Sequence, residues 1–281
     1  MAGELNAWSE IVRRRFDAFL EPRWRDAWPT SFVAPMRYPV FGGGKRVRPL
    51  LAVAACESVG GRMDLAMPAA AAVELVHTYS LVHDDMPCMD NDDMRRGRPT
   101  VHKAFDEGTA LLVGDALLTD AFAILAEADV PAETRVAWVL ELSRAAGWRG
   151  MVGGQVADVT LGSTIKDIDT LQRVHALKTG ALIRAAVLMG GMAGDASDAQ
   201  RAILSEYGAK VGLAFQLADD VLDADQDDKP NGPPSYVKLL GVPETRRRAR
   251  AVADEAIAAV KKLPFPKTLI ELANYTVQRD V

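Results

Sequence analysis

Apolar residues recur at three- and four-residue spacing along most of this chain, a pattern typical of α-helices with a buried face. Runs that alternate apolar and polar residues, as a half-buried strand does, are too short to predict a sheet. Ala and Leu, which favour helix, are abundant, and runs of β-branched residues are few. The periodic runs predict five long helices, at residues 66–83, 109–128, 133–148, 170–194 and 199–223.

Proline and glycine mark the breaks between these runs, because proline removes a backbone donor and glycine adopts turn conformations. The breaks fall at Pro39 to Gly44, Gly60–Gly61, Pro87, Gly97 to Pro99, Pro131, and Pro230 to Pro234. The sequence has no Gly/Ser-rich linker and no low-complexity tract. We therefore expect one all-α domain over residues 1–281, with the helices that are apolar on most faces at the centre of a large bundle.

Charge and cysteine content narrow the class of protein. The net charge of −5 over 281 residues argues against general nucleic-acid binding, which needs a basic face. Two cysteines, Cys56 and Cys88, cannot form a disulfide framework and fit the reducing cytoplasm as free thiols. The N-terminal segment has no signal-peptide core. The sequence also predicts no apolar stretch of the roughly 18 residues that span a bilayer. We expect a cytoplasmic protein without a membrane anchor.

Two aspartate clusters, each directly after an apolar run, are the strongest candidates for chemistry. The first holds Asp84, Asp85 and Asp90, and the second holds Asp219, Asp220 and Asp223. Carboxylates at the ends of apolar helices are costly unless they face water or a cation. Two such clusters around one cavity would hold a hard cation such as Mg²⁺, which prefers oxygen ligands and is often shared with substrate phosphates. The most economical interpretation is an enzyme that binds and ionises a diphosphate.

The spacing within each cluster predicts its local geometry. Gln216 precedes the second cluster at i, i+3, i+4 and i+7 spacing, so one helical stripe presents one amide and three carboxylates. Asp84 and Asp90 are six residues apart, which is not a same-face helical spacing. Because Pro87 disfavours a continuous helix, we predict a bulge or loop that brings Asp90 back toward Asp84. His77, seven residues before Asp84, returns to the same helical face.

Basic residues complement the carboxylates. The segment GGGKRVRP carries Lys45 and Arg48, three residues apart, after a flexible glycine turn, and Arg95 and Arg96 follow the first aspartate cluster closely. Arginine and lysine are the usual contacts of a diphosphate, arginine by bidentate hydrogen bonds. Together with the clusters they suggest two phosphate sites, one reached through metal and one through side chains directly.

With these residues in view, the chain resembles the trans-isoprenyl diphosphate synthases (the polyprenyl synthetase family), and most of all the bacterial farnesyl diphosphate synthases. DDMPCMDNDDMRRGRPT has the DDxxxxD spacing of the family's first Asp-rich motif, and FQLADDVLD matches the second. HALKTGALI (175–183) and GGQVAD (153–158) match two further motifs. The resemblance runs from GGGKRVRP near residue 42 to the C-terminal NYTVQRDV.

The resemblance implies a fold, a reaction and roles for particular residues. The fold is a bundle of mostly antiparallel helices around a deep central cavity, usually in a homodimer. The reaction is the Mg²⁺-dependent head-to-tail condensation of isopentenyl diphosphate with an allylic diphosphate, with Mn²⁺ as an alternative metal. The metal ligands would be Asp84, Asp90 and Asp219, supported by Asp85, Asp220 and Asp223. Isopentenyl diphosphate would be held by Lys45, Arg48, His77 and Arg96. The allylic substrate would face Arg95, Lys178, Thr179 and Gln216.

The resemblance also implies how the product length is set. The prenyl tail would grow along the helix that precedes Asp84, and Tyr79 lies about 7.5 Å before that residue. A bulky aromatic residue there accompanies a C15 product in the family, so farnesyl diphosphate is expected. Ser80 is small, but Tyr79 should block the tail first. Geranylgeranyl diphosphate remains the alternative product.

One segment departs from the family pattern. The second motif is followed by a short, Pro-rich loop at 224–235, where family members usually carry a longer loop with a lysine that contacts the allylic diphosphate. Neither Lys229 nor Lys238 falls clearly on that pattern, so the role is transferred to no residue.

Two other classes of protein share parts of this pattern. A class I terpene cyclase also ionises a diphosphate with metal, but its second motif is typically of an Asn/Ser/Glu type and it needs no second diphosphate site. A non-catalytic regulatory subunit of a prenyl synthase commonly loses one aspartate motif, whereas both are intact here. The four histidines lack the paired spacing of a zinc site, and His83 and His102 are interpreted as structural.

Overall fold

The computed structural model describes residues 2–224 and 234–278. Its α-helices are α1 (Ala2–Leu20), α2 (Val33–Val40), α3 (Val47–Ser58), α4 (Met63–Asp84), α5 (Val101–Ala104), α6 (Glu107–Glu127), α7 (Ala132–Ala146), α8 (Met151–Leu161), α9 (Ile168–His175), α10 (Ala181–Ala193), α11 (Asp198–Leu222), α12 (Tyr236–Leu240), α13 (Val242–Val260) and α14 (Lys267–Val277). Short 3₁₀ turns cover Thr30–Phe32 and Gly162–Thr164. The all-α fold predicted from the sequence is confirmed.

The five predicted long helices are all present, with ends that differ by a few residues. The run predicted as one helix at 170–194 is divided, since a π-helical segment at Ala176–Gly180 joins α9 to α10. Side chains that fit the sequence pattern begin several of these helices. Asp106 caps α6 and Asp167 caps α9, each accepting from a backbone N–H three residues on, and Ser197 with Gln200 forms a capping box on α11.

The centre of the bundle consists of α3, α4 and α10, which pack closely because small residues face one another. A Cβ added at Gly190 of α10 would overlap the backbone of Ala52 on α3. Most residues of α3, α4 and α10 are buried, so these helices are apolar on most faces as predicted. Trp138 of α7 is fully buried and donates its indole N–H to the carbonyl of Met189, 2.9 Å away, which fixes α7 on α10.

A smaller apolar cluster supports the C-terminal half of α11. Leu171 and Val174 of α9 meet Leu217 of α11, Tyr236 of α12 and Ala249 of α13. This cluster anchors α11 just before the second aspartate cluster begins.

The described residues contain one short hairpin, directly after the first aspartate cluster. Strand β1 (Met94–Arg95) pairs antiparallel with strand β2 (Arg98–Pro99). Arg96 and Gly97 make the two-residue turn with φ values of 53° and 73°, as a type I′ turn requires. The hairpin fixes Arg95 and Arg96 beside the end of α4.

In the part of the chain that the structure describes, three helical stretches are long and apolar enough to cross a membrane by length and composition alone. They are Met63–Asp84, Glu107–Glu127 and Ile168–Ala193. The sequence-based prediction that no stretch reaches this length was therefore wrong. The most apolar windows of the first and third are 72% and 56% buried inside the protein, so packing within the bundle accounts for much of their apolar character.

Candidate active site

The loop after α4 folds back on the helix end, as predicted from Pro87. The backbone N–H of Asp90 donates to the carbonyl of Asp84 at 2.8 Å, and that of Asp92 donates to the carbonyl of Asp85 at 3.2 Å. The helix ends at Asp84, and Asp85 is its C-cap residue. The six-residue spacing of Asp84 and Asp90 is thus closed by a loop rather than by a helical turn.

Asp84 lies half-buried in a crowded electrostatic setting. Burial raises the pKa of Asp84 to about 6; nearby Lys178 opposes the rise, and Asp90 adds to it. Gln155 of α8 donates its amide to Asp84 Oδ1 at 3.0 Å. A carboxylate whose charged form is disfavoured in this way gains most from an added cation. The donors gathered here are carboxylate oxygens, which fit a hard divalent cation such as Mg²⁺.

Asp85 is buried and already has a cationic partner. Arg95 reaches it from β1, with Nε 2.8 Å from both carboxylate oxygens and Nη2 2.6 Å from Oδ1. Burial raises the pKa of Asp85, and the Arg95 guanidinium acts against that rise. Arg95, expected to face the allylic substrate, here binds Asp85, so part of its hydrogen-bonding capacity is used within the protein.

The second cluster follows the predicted helical stripe at the end of α11. Gln216, Asp219 and Asp220 lie within the helix, and Asp223 is its C-cap residue, donating its N–H to the carbonyl of Asp219 at 2.9 Å. Asp220 accepts a hydrogen bond from the backbone N–H of Tyr236 at 2.6 Å. This hydrogen bond holds the start of α12 next to the second aspartate cluster.

A group of cations connects the two clusters. Burial lowers the pKa of Arg48, and the same guanidinium is under the electrostatic influence of Glu74, Arg96 and Asp219. Its Nε is buried without a protein partner. Burial lowers the pKa of His77 well below its usual range, and four neighbouring arginines, Arg48 first among them, add to the effect. His77 is thus neutral at pH 7, and the surrounding positive charge suits a polyanionic ligand.

The negative charge next to these cations comes from Glu74, to which the sequence analysis assigned no role. Glu74 is 2% exposed and accepts from Arg46 Nη1 at 3.0 Å, while Arg46 also donates to the carbonyl of Val40. The sequence feature that could have indicated a buried ion pair is this single glutamate within the apolar run AAAAVELVH. Lys45, next to Arg46, is exposed, and Arg96 donates to the carbonyl of Gly43 at 2.7 Å.

Lys178 enters the site from the π-helical segment. Its Nζ donates to Asp158 Oδ2 of α8 at 2.7 Å, and Thr179 follows it in the same segment. A Cβ added at Gly154 would overlap the backbone of Lys178, so glycine lets α8 approach the segment closely. Insertions of this π type are frequent at functional sites. Gln155 and Asp158 lie in the quoted motif GGQVAD, but no role had been assigned to either.

Within the described ranges, 2–224 and 234–278, no group of three or more His, Cys, Asp or Glu side chains is close enough to hold a metal ion alone. The two carboxylate clusters belong to separate helices, so a ligand that is itself rich in oxygen would have to complete the coordination. The segment that holds Lys229, and most of the Pro-rich loop, lies outside the described residues. Lys238 is described, on α12.

Tyr79 and Ser80 occupy the α4 turn before the first cluster. Tyr79 is 8% exposed, and its ring packs edge-to-face on that of His83. Ser80 is half-buried and donates to the carbonyl of His77 at 2.9 Å. The bulky side chain therefore stands inside the bundle and the small one is tied to its own helix.

Comparison with known proteins supports one family. The family model described as polyprenyl synthetase matches residues 29–236. The chain is 42% identical to the farnesyl diphosphate synthase of Escherichia coli (strain K12), covering 89% of this chain and 90% of that one. It is 43% identical to a chloroplastic geranylgeranyl pyrophosphate synthase of Catharanthus roseus, covering 90% and 75%. A crystal structure of an FPP/GFPP synthase from Zymomonas mobilis superposes with a TM-score of 0.90 at 40% identity, covering 99% and 100%. The all-α helical bundle that the resemblance implied, the isoprenoid synthase-like fold, is confirmed.

Proposed function

Because the chain belongs to the polyprenyl synthetase family, we propose that it joins isopentenyl diphosphate head-to-tail to dimethylallyl or geranyl diphosphate and ends at farnesyl diphosphate. The observation that carries the proposal is the convergence of the α4 carboxylates, the cationic group at Arg48 and His77, and Asp219 of α11. Such a site can hold two diphosphates side by side, one against carboxylate-bound metal and one against arginine.

The carboxylates fit the metal that this reaction uses. Mg²⁺, with Mn²⁺ as an alternative, would be held by Asp84, Asp90 and Asp219, with Asp85, Asp220 and Asp223 in support. When bound, the metal supplies positive charge that stabilises the departing diphosphate.

The protein's own residues prepare the allylic substrate for ionisation. Lys178, held at 2.7 Å from Asp158, presents its ammonium group beside Asp84 and is suited to bind the leaving diphosphate. The carbonyls of Lys178 and Thr179 and the amide of Gln216 would direct dipoles toward the allylic cation. Arg95 would divide its hydrogen bonds between Asp85 and the diphosphate. Rate enhancement then comes from positioning and electrostatic stabilisation rather than from a protein nucleophile.

Isopentenyl diphosphate would occupy the cationic group. Lys45 and Arg48 would bind its phosphates from the start of α3, and Arg96 would bind from the hairpin turn. His77 is neutral because of burial and neighbouring arginines, so it would act as a hydrogen-bond donor and not as a cation. The double bond attacks the allylic cation, one proton leaves, and the released diphosphate is the acceptor that this arrangement provides.

Product length follows from Tyr79 in this proposal. A buried aromatic ring five residues before Asp84 would stop the tail at C15. Relatives are named both as farnesyl and as geranylgeranyl synthases, so geranylgeranyl diphosphate is the alternative product. The burial of Tyr79 favours the shorter one.

The proposal also includes an assembly, a domain and a location. We propose a homodimer formed through α6 and α7, because these helices expose Leu112 (58%), Val136 (67%) and Leu140 (45%).

The main hydrophobic core takes residues from α1 to α14, which supports one synthase domain over the chain. Cys56 is buried, Cys88 is exposed and both are free thiols, which fits the cytoplasm.

The test is incorporation of labelled isopentenyl diphosphate into an acid-labile product in the presence of geranyl diphosphate and Mg²⁺. We expect incorporation that EDTA abolishes, and a loss of at least 100-fold in Asp219→Asn (roughly, from removal of an electrostatic contact to the reacting charge). Incorporation that persists in EDTA would contradict the metal assignment. Release of diphosphate from the allylic substrate alone, with a hydrocarbon product, would indicate a cyclase instead.

A further inference from the structure

His83, on the last turn of α4, rests against the backbone of α6. Its Nε2 lies 3.1 Å from the carbonyl oxygen of Leu111, so this nitrogen carries the proton and donates. A Cβ added at Gly114 would overlap the imidazole, at 1.9 Å from Nε2 and within 2.6 Å of two ring carbons. Because position 114 is glycine, the surface of α6 has space at this point, and the His83 ring occupies it.

The imidazole also packs against Tyr79. The two rings meet edge-to-face, with centroids 5.8 Å apart and planes at 76°. Residues 79 and 83 are four apart on one helix, so they lie on the same face of α4. His83 thus contacts both the Tyr79 ring and the backbone of α6 at Gly114.

We propose that His83, seated on Gly114, is a specificity-determining residue that holds the Tyr79 ring in the path of the growing prenyl tail. This inference rests on the proposed function and deepens it. Tyr79 lies in the main hydrophobic core, but no side-chain hydrogen bond among the described residues fixes its ring, and a side chain held by packing alone can change rotamer under a longer tail. Because the imidazole packs directly against the Tyr79 ring, it opposes such a change, and the length limit then depends on Tyr79, His83 and Gly114 together.

A purely structural role for His83 makes a different prediction. If the ring served only to join α4 to α6, its removal would lower stability and rate without changing the ratio of products. Product ratio is therefore the readout that separates the two roles.

The experiment measures the C20 to C15 product ratio from geranyl diphosphate, isopentenyl diphosphate and Mg²⁺ for four proteins: wild type, His83→Ala, Gly114→Ala and the double variant. We expect each single variant to raise the ratio by roughly tenfold, the scale at which apolar pockets discriminate small differences in length. In His83→Ala the imidazole that packs against Tyr79 is absent. In Gly114→Ala the new methyl group occupies the space of the imidazole and displaces it. The double variant should match His83→Ala, because the added methyl then has no ring to displace.

Two further variants serve as controls. His83→Phe retains a ring against Tyr79 but lacks the donor to Leu111, and it should keep the wild-type product ratio. Leu125→Ala removes buried volume from the same helix α6 about 16 Å from Gly114. It should lower stability and leave the ratio unchanged.

The outcomes separate the two claims. No condensation by the wild type would overturn the proposed function itself. Condensation by the wild type with unchanged product ratios in both single variants would overturn the inference alone, as would additive effects in the double variant. Should His83→Ala fail to fold, Gly114→Ala and His83→Phe still decide the matter, since the inference requires a shift in the first and none in the second.

Discussion

At Asp84, the proposed metal-binding role and the stability of the fold make opposite demands on one side chain. The carboxylate sits at the end of a buried helix, where burial raises its pKa to about 6 against a usual value near 3.8. The folded protein therefore binds a proton at this position more readily than the unfolded chain does. Above pH 6 the ionised group opposes folding, and below about pH 4 the effect disappears because both states are protonated.

Asp84→Asn is expected to raise the free energy of unfolding at pH 7 by roughly 1–2 kcal/mol in the absence of metal, after allowance for solvent screening. The reason is that the amide removes the cost of the buried charge. The gain should fade as the pH falls from 6 to 4, and turnover should be lost because a proposed metal ligand is removed. Urea unfolding at several pH values, with activity measured alongside, checks both effects.

Asp64→Asn provides the comparison for this prediction. Asp64 stands on the first turn of the same helix, is exposed and pairs with Arg15. Its replacement should leave activity intact and not increase stability. A loss of stability in Asp84→Asn at pH 7 would show that the carboxylate is favourable there and would contradict the electrostatic account.

At the scale of elements, the π-helical segment determines where Lys178 stands. An extra residue in one turn shifts the helical register, so Lys178 faces α8 and the aspartates while α9 and α10 keep their buried faces. Close approach of α8 is possible because Gly154 has no side chain. Asp158 and Gln155 then reach across to Lys178 and Asp84 respectively.

Gly154→Ala is expected to lower turnover by roughly tenfold or more, because its methyl group would push α8 away from the Lys178 backbone and misplace the lysine. Gly180→Ala is the matched control in the same segment, since its added Cβ would meet only the carbonyl oxygen of His175, at an ordinary 3.7 Å. Initial rates and melting temperatures of both variants check the prediction. Equal rates in the two variants would refute it.

The sequence predicted elements better than it predicted their contacts. Apolar periodicity located α4, α6 and α11 because each buries a continuous face, and Pro87 correctly indicated the loop that returns Asp90 to Asp84. The π-helical insertion was missed because it interrupts the helix without any change of composition. Gln155 and Asp84 are 71 residues apart, and their hydrogen bond depends on how α8 packs against the end of α4. A single sequence does not reveal which distant residues will be brought together in this way.

For the whole molecule, the exposed apolar side chains of α6 and α7 have a further consequence. The most apolar window of α6 is only 39% buried within the protein. A groove of about 600 Å³ lies between α6 and the Trp28 segment, and Trp28 itself is 91% exposed. An apolar surface of this kind is costly in water and is typical of subunit interfaces.

The double variant Leu112→Asp/Val136→Asp is expected to be a monomer, because charged side chains would have to be buried in the proposed interface. Light scattering after size exclusion should give the single-chain mass of 30.4 kDa for it and twice that value for the wild type. Phe265→Asp, at an exposed position between α13 and α14, should remain dimeric. A monomeric wild type at micromolar concentration would contradict the assembly.

The most direct test of the account is mass spectrometry of the product that the wild-type protein makes from Mg²⁺, isopentenyl diphosphate and geranyl diphosphate. The account predicts a C15 diphosphate as the main product, with C20 as a minor one. A main product of C20 or longer would contradict the assignment of Tyr79 as the limit of the tail. No condensation by the folded protein would contradict the central claim that the two aspartate clusters and the cations between them form a prenyl diphosphate synthase site.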